Sequence, residues 1–208
     1  MPNALLLQRS ELLLQNILEV TQHPLFDDSA RLAVSGSLCH MAIRHSAAFR
    51  ALAERKMFVS GFVVLRAQFE ATLRAVWSLY SATDRQIEKI SVPLSPESEL
   101  DAKNLPQVKD MLEAISKASN ASVPYAALAE FKGSAWHALN SYAHCGIHPI
   151  SRLAEGYPLE LILQNVKLSN GLAMIAAMQF CVLTGIPGLQ KELNPLHDRF
   201  ADCLPLAH

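Results

Sequence analysis

Charge is scarce in this sequence: only 18% of its 208 residues are Asp, Glu, Lys or Arg, and the formal net charge is −1. A protein that grips nucleic acid by bulk electrostatics needs a basic footprint, and this composition argues against that mode. The four cysteines, Cys39, Cys145, Cys181 and Cys203, include no C-x-x-C pair, unlike a zinc module or a disulfide scaffold. They suit a reducing cytoplasm, which is the expected location. No segment alternates apolar and polar residues, so no sheet is expected. Gln8, Arg9, Ser10 and Glu11 interrupt the leucines near the start, so no signal peptide is expected. The most apolar run, residues 171–186, contains Gln179 and is shorter than the about 20 residues of a membrane span, so it reads as a buried helix with no membrane association.

What the chain does have is apolar residues, half of the total. That much apolar surface must be hidden in a core or a subunit interface, and one domain over residues 1–208, paired as a homodimer, is the expectation. The stretch 57–81 organises the rest. At 100° per residue it gathers Phe62, Arg66, Glu70, Leu73, Trp77 and Tyr80 on one stripe, with Arg74 at the margin. Small residues line another side and Leu65, Phe69 and Val76 a third, so the helix belongs in the middle of a bundle. Further helices are expected at 3–20, 30–56, 107–118, 125–144 and 158–184, with short ones from Asp84 and over 191–202. Ser60 and Gly61 mark a bend or a close helix crossing. Residues 92–106, rich in proline and small polar residues, read as a surface loop. The whole is an all-α bundle of about six to seven helices around the central one.

Charge is unevenly spread. Residues 30–80 carry seven basic and two acidic side chains, a balance of +5 against −6 for the remainder. An anionic ligand near the central helix is compatible with this, as is a solvated basic face. Glu70 lies four residues after Arg66 and four before Arg74, so one carboxylate can bridge two guanidinium groups. Either these three form an internal strut, or an arginine is left facing a cavity that receives an anion. The densest polar cluster is LNSYAHCGIHPISR, with Asn140, Ser141, His144, Cys145, His148 and Arg152. His144 and His148 have the spacing of a helical metal pair, but Gly146 and Pro149 interrupt the helix and no E-x-x-H accompanies them. No metal and no cofactor are expected. His144 beside Cys145 is not a nucleophile–base pair on adjacency alone, since a base must reach the sulfur in space. The expected site is therefore a polar pocket for a small anion or a partner, formed by Arg66, Glu70, Arg74 and Trp77 against Asn140, Ser141, His148 and Arg152.

The strings SLCHMAIRHSAAF, SGFVVLRAQFEATLRAVWSLY, LNSYAHCGIHPISR and EGYPLELILQNVKLSNGLAMIAAMQFCVLTG together resemble an uncharacterised family of bacterial helical proteins, known only as a domain of unknown function. The likeness covers residues 30–185 and implies a helical fold without an attached activity. More distantly, the arginine-bearing central helix and the Asn140, Ser141 and His144 helix resemble the HEPN superfamily of helical ribonucleases and nucleotide-binding proteins. That resemblance implies a dimer acting on RNA without a metal, in a toxin or phage-defence setting. It implies His144 as the catalytic residue, with Arg66 or Arg74 supplying the cation at the phosphate. No arginine stands upstream of His144 at the superfamily's short arginine–histidine spacing; Asn140 lies four residues before it.

Overall fold

Every regular element in residues 2–205, the range described in a computed structural model of the protein, is helical. Residue 1 and residues 206–208 of the expected 1–208 unit lie outside that range. The order is α1 (Pro2–Val20), α2 (Ala30–Glu54), α3 (Phe58–Tyr80), α4 (Asp84–Ser91), α5 (Pro96–Ala102), α6 (Val108–Ser116), α7 (Ser122–Ala143), α8 (Ile147–Glu155), α9 (Leu159–Leu183) and α10 (Asn194–Arg199). Single-turn helices occupy Ser119–Ala121, Leu189–Glu192 and Ala201–Cys203.

Two of these helices depart from the sequence expectation, and both have a local cause. The stretch 92–106 is not all loop, because Ser95 caps α5: its Oγ accepts the Ser98 N–H at 3.2 Å while Ser98 Oγ accepts the Ser95 N–H at 2.8 Å, and Pro96 takes the first helical position. The chain also turns helical again after Gly146. Pro149 is the third residue of α8, where its missing N–H has no intrahelical acceptor to lose. The C-terminal segment, expected as one short helix over 191–202, is divided into single turns around α10.

The α2–α3 hairpin closes on a left-handed residue, Lys56 at φ 57°, so that the Met57 N–H donates to Leu52 O at 2.8 Å and satisfies a carbonyl at the end of α2. Close crossing follows at Gly61, where a Cβ would sit 3.4 Å from the Phe49 ring. Arg31 then locks the far end, donating to Ser78 O at 2.6 Å and Ala82 O at 2.8 Å and pairing with Asp84 at 2.6 Å. A cation on the last carbonyls of α3 complements the helix dipole.

α3 packs against α2, α6, α7 and α9, as its near-continuous apolar circumference requires. Phe62, Leu65, Phe69, Leu73, Val76 and Trp77 are all buried, each adding about 1.5–3 kcal/mol of transfer free energy. Two polar groups in this core are matched across helices. Gln68 Nε2 donates to Ser169 O at 2.8 Å and Ser169 Oγ donates to Gln68 Oε1 at 2.7 Å, a reciprocal clamp between α3 and α9. Asn170 donates to Ser10 Oγ at 2.8 Å and Cys203 O at 2.9 Å, tying α1 and the C-terminal turns to α9. α9 spans 25 residues, long and apolar enough to cross a membrane, so the run length read from sequence is not what decides its place. Its burial does: 61% of its most apolar window is covered by the rest of the fold.

Candidate functional site

Ser141 organises the turn that carries the polar cluster. α7 ends with Cys145 in the left-handed region at φ 52°, a place glycine usually takes, and the Gly146 N–H donates to Ser141 O at 2.7 Å. The Ser141 hydroxyl accepts the His148 N–H at 3.1 Å, satisfying an open donor in the first turn of α8. Gly146 is required between them, because a Cβ there would lie 2.6 Å from Ser141 Oγ. α8 is thereby aimed so that His148 and Arg152 border a crevice of about 170 Å³ between α7, α8 and α9. Leu139 and Tyr142 of α7, Leu161 and Leu168 of α9 and Phe62 of α3 form its apolar wall.

Phe62 and Tyr142 of this wall belong to an aromatic cluster with Tyr157. Phe62 meets Tyr142 edge-on at 4.8 Å and Tyr157 at 5.9 Å between ring centres. Burial pushes the Tyr142 phenol well above its ordinary range, the neighbouring Tyr157 hydroxyl adds to this, and the Arg152 charge opposes it. Tyr142 therefore stays a neutral hydroxyl at any physiological pH. The Tyr157 oxygen is itself buried without a well-aligned hydrogen-bond partner. The Arg152 guanidinium is weakly answered: its one ion pair among the described residues is with Glu155 at 3.7 Å, and Glu155 also accepts from Ser151 at 2.9 Å.

Beside the crevice lies a second polar group. Arg66 Nε donates to Asn140 Oδ1 at 3.0 Å, Arg66 pairs with Glu70 at 2.9 Å, and its guanidinium lies 5.1 Å from the Trp136 ring centre. The structure thus joins the central helix to residue 140 as the sequence suggested, with Arg66 held on three sides. Trp136 is the member that sequence reading left out of the site; its place one turn before Asn140 was the available signal. Arg74 and Trp77 stand apart. Arg74 makes no ion pair with Glu70 and lines a groove with Val34, Leu38 and Ile90 on the α2 and α4 side. Trp77 is 1% exposed, a core side chain with no open face for a ligand.

The remaining candidates sit at the surface. His144 caps the end of α7 and is exposed, and no hydrogen bond or ion pair among the described residues links it to an arginine. Cys145 is exposed on the turn. Among the described residues no group of three or more His, Cys, Asp or Glu side chains is placed to hold a metal ion. Cys39 and Cys181 are buried thiols: burial pushes Cys181 up to about 11 and Cys39 higher still, so neither supplies a thiolate at neutral pH.

Residues 39–206, which include the crevice, the Arg66 group and all of α3 and α7 to α9, match a family of unknown function, DUF6988. The chain belongs to that family. The uncharacterised helical family seen in the sequence is thereby shown, whereas the HEPN likeness is not. No curated protein matches the chain. No solved structure matches it either. DUF6988 membership carries no substrate or activity with it, so the chemistry of the site rests on the side chains described above.

Proposed function

We propose that the protein binds a small organic anion, a carboxylate on a compact apolar body, in the crevice between α7, α8 and α9. The observation that carries this reading is Arg152 at the rim of a crevice walled on one side by Phe62, Leu139, Tyr142, Leu161 and Leu168, its charge met among the described residues only by the 3.7 Å contact to Glu155. A guanidinium presents paired donors that fit a carboxylate, and low surrounding polarity strengthens the pairing. The volume of about 170 Å³ is close to the ~150 Å³ of an apolar protein cavity that takes up benzene, so a single ring or a branched chain of similar bulk is the size class. His148 stands on the same rim as a second donor, while Arg66 lies outside the crevice with its charge answered by Glu70.

Thermal unfolding with benzoate and with its neutral analogue benzamide tests the reading. At about one hundred times its dissociation constant a ligand adds ~2.7 kcal/mol, which for a chain of this size is about 5–10 °C in Tm. Benzoate is expected to give a saturable shift of that order, benzamide a much smaller one, and Arg152→Ala none. No saturable shift with benzoate, or an unchanged shift in Arg152→Ala, refutes the proposal.

A further inference from the structure

A second cavity, of about 500 Å³, lies elsewhere along α9, between its last three turns, the start of α7 and the entry to α10. Its walls are apolar and compliant: Met174, Ile175 and Met178 of α9 face Val123, Pro124 and Ala127 of α7. Asn120, Gln190, Asn194 and His197 edge it, and no Asp, Glu, Lys or Arg lines it. A charged ligand entering here would shed its hydration with no opposite charge to meet.

The wall also holds an acceptor without a donor. Gln179 is 4% exposed and lines the cavity. Its Nε2 lies 3.5 Å from Ser35 Oγ, and that hydroxyl already donates its single proton to Ala75 O at 2.8 Å. Ser35 is therefore able only to accept from Gln179, which fixes the amide with its NH₂ toward Ser35. The amide oxygen is left with no hydrogen-bond partner among the described residues. That oxygen is not sealed from solvent, so it opens to the cavity and can accept from a donor placed there.

We infer that this cavity is a second ligand site, for an uncharged, largely apolar molecule that presents one hydroxyl or N–H to Gln179. Its volume is about three times that of the benzene-sized cavity of ~150 Å³, which sets the ligand at two to three rings or an equivalent branched chain. The charge inventory separates it from the Arg152 crevice: that site offers a guanidinium to an anion, and this one offers no Asp, Glu, Lys or Arg.

Two fluorescent probes with one skeleton test this on the full chain. N-phenylnaphthylamine is neutral and carries one N–H, and anilinonaphthalene sulfonate adds an anionic group to the same rings. The neutral probe is expected to bind saturably at one per chain, and the sulfonate at least about ten-fold more weakly. Ala127→Phe, which fills the cavity from α7, is expected to weaken the neutral probe by about ten-fold or more while the circular dichroism and the benzoate response of the protein are retained. Gln179→Leu is expected to cost about five-fold, the worth of one neutral hydrogen bond. Absence of saturable binding by the neutral probe, equal binding of the sulfonate, or full binding by Ala127→Phe overturns the inference. Failure of benzoate binding alone bears only on the crevice.

Discussion

Replacing Gly146 with alanine tests how the α7–α8 turn is built, and its effect depends on Ser141. The new Cβ would stand 2.6 Å from Ser141 Oγ, well inside contact distance, so the serine has to rotate away and release the His148 N–H that it now accepts at 3.1 Å. Losing that hydrogen bond costs about 1 kcal/mol. Alanine in place of glycine at the capping position itself costs a further ~0.5 kcal/mol. Gly146→Ala is thus expected to destabilise by about 1.5 kcal/mol, and Ser141→Ala by ~1 kcal/mol through loss of the same bond. In the double variant the bond is lost only once, so the total is expected to fall short of additivity by about 1 kcal/mol. Urea unfolding of the four proteins measures this directly. Additive single-variant effects, within the usual ~0.3–0.5 kcal/mol, refute the argument that Gly146 is present to make room for the Ser141 cap.

Further expectations follow from the core and the titrating groups. Ser169→Ala leaves the buried Gln68 Oε1 without its 2.7 Å donor and is expected to cost about 1–3 kcal/mol in denaturant unfolding, with Gln68→Leu in the same chain recovering part of the loss. Cys145→Gly relieves a left-handed residue at φ 52° and is expected to stabilise by about 1 kcal/mol, read as a rise in Tm. Partial desolvation holds half-buried His45 and the more exposed His40 below the ordinary imidazole value, with Arg44 adding to the effect at His40. The unfolded chain then binds more protons than the folded one, so their contribution is complete above about pH 6.5 and falls as the pH drops through the folded-state values. Tm is expected to decline from pH 7 toward about pH 5, and less so in His45→Gln; a profile that is flat over that window, or one unchanged by the substitution, contradicts this.

The all-helical architecture was legible because apolar periodicity and cap residues act locally. The central helix was expected at 57–81 and runs Phe58–Tyr80, and the long helices around it lie within a few residues of their expected bounds. α8 was missed because Gly146 and Pro149 were read as breakers, although glycine at the cap and proline in the first turn are compatible with a helix start, and Ile147, Ile150 and Leu153 already repeat at helical spacing. α5 was hidden in the same way by a proline-rich segment whose Ser95 and Pro96 form a helix start.

The site was half legible. Arg66 of the stripe does touch Asn140 of the separately read polar cluster, but a stripe gives direction around a helix and nothing about depth along it. Trp77 lies eleven residues beyond Arg66, about 16 Å further along the axis, where other helices enclose it. Arg74 sits at the edge of the stripe and turns to α2 and α4 instead. Phe62 and Tyr142 were each visible as helix-face aromatics, yet their meeting over the crevice depends on how α3 and α7 cross, which no spacing within one helix encodes.

An NMR titration of the arginine side-chain and histidine ring signals with benzoate reads the central claim at the atoms concerned. The Arg152 guanidinium and the His148 ring are expected to shift together along one saturable curve while Arg31, tied to Ser78, Ala82 and Asp84, stays in place. Unmoved Arg152 signals at saturating benzoate, or shifts spread evenly over the surface arginines, contradict it.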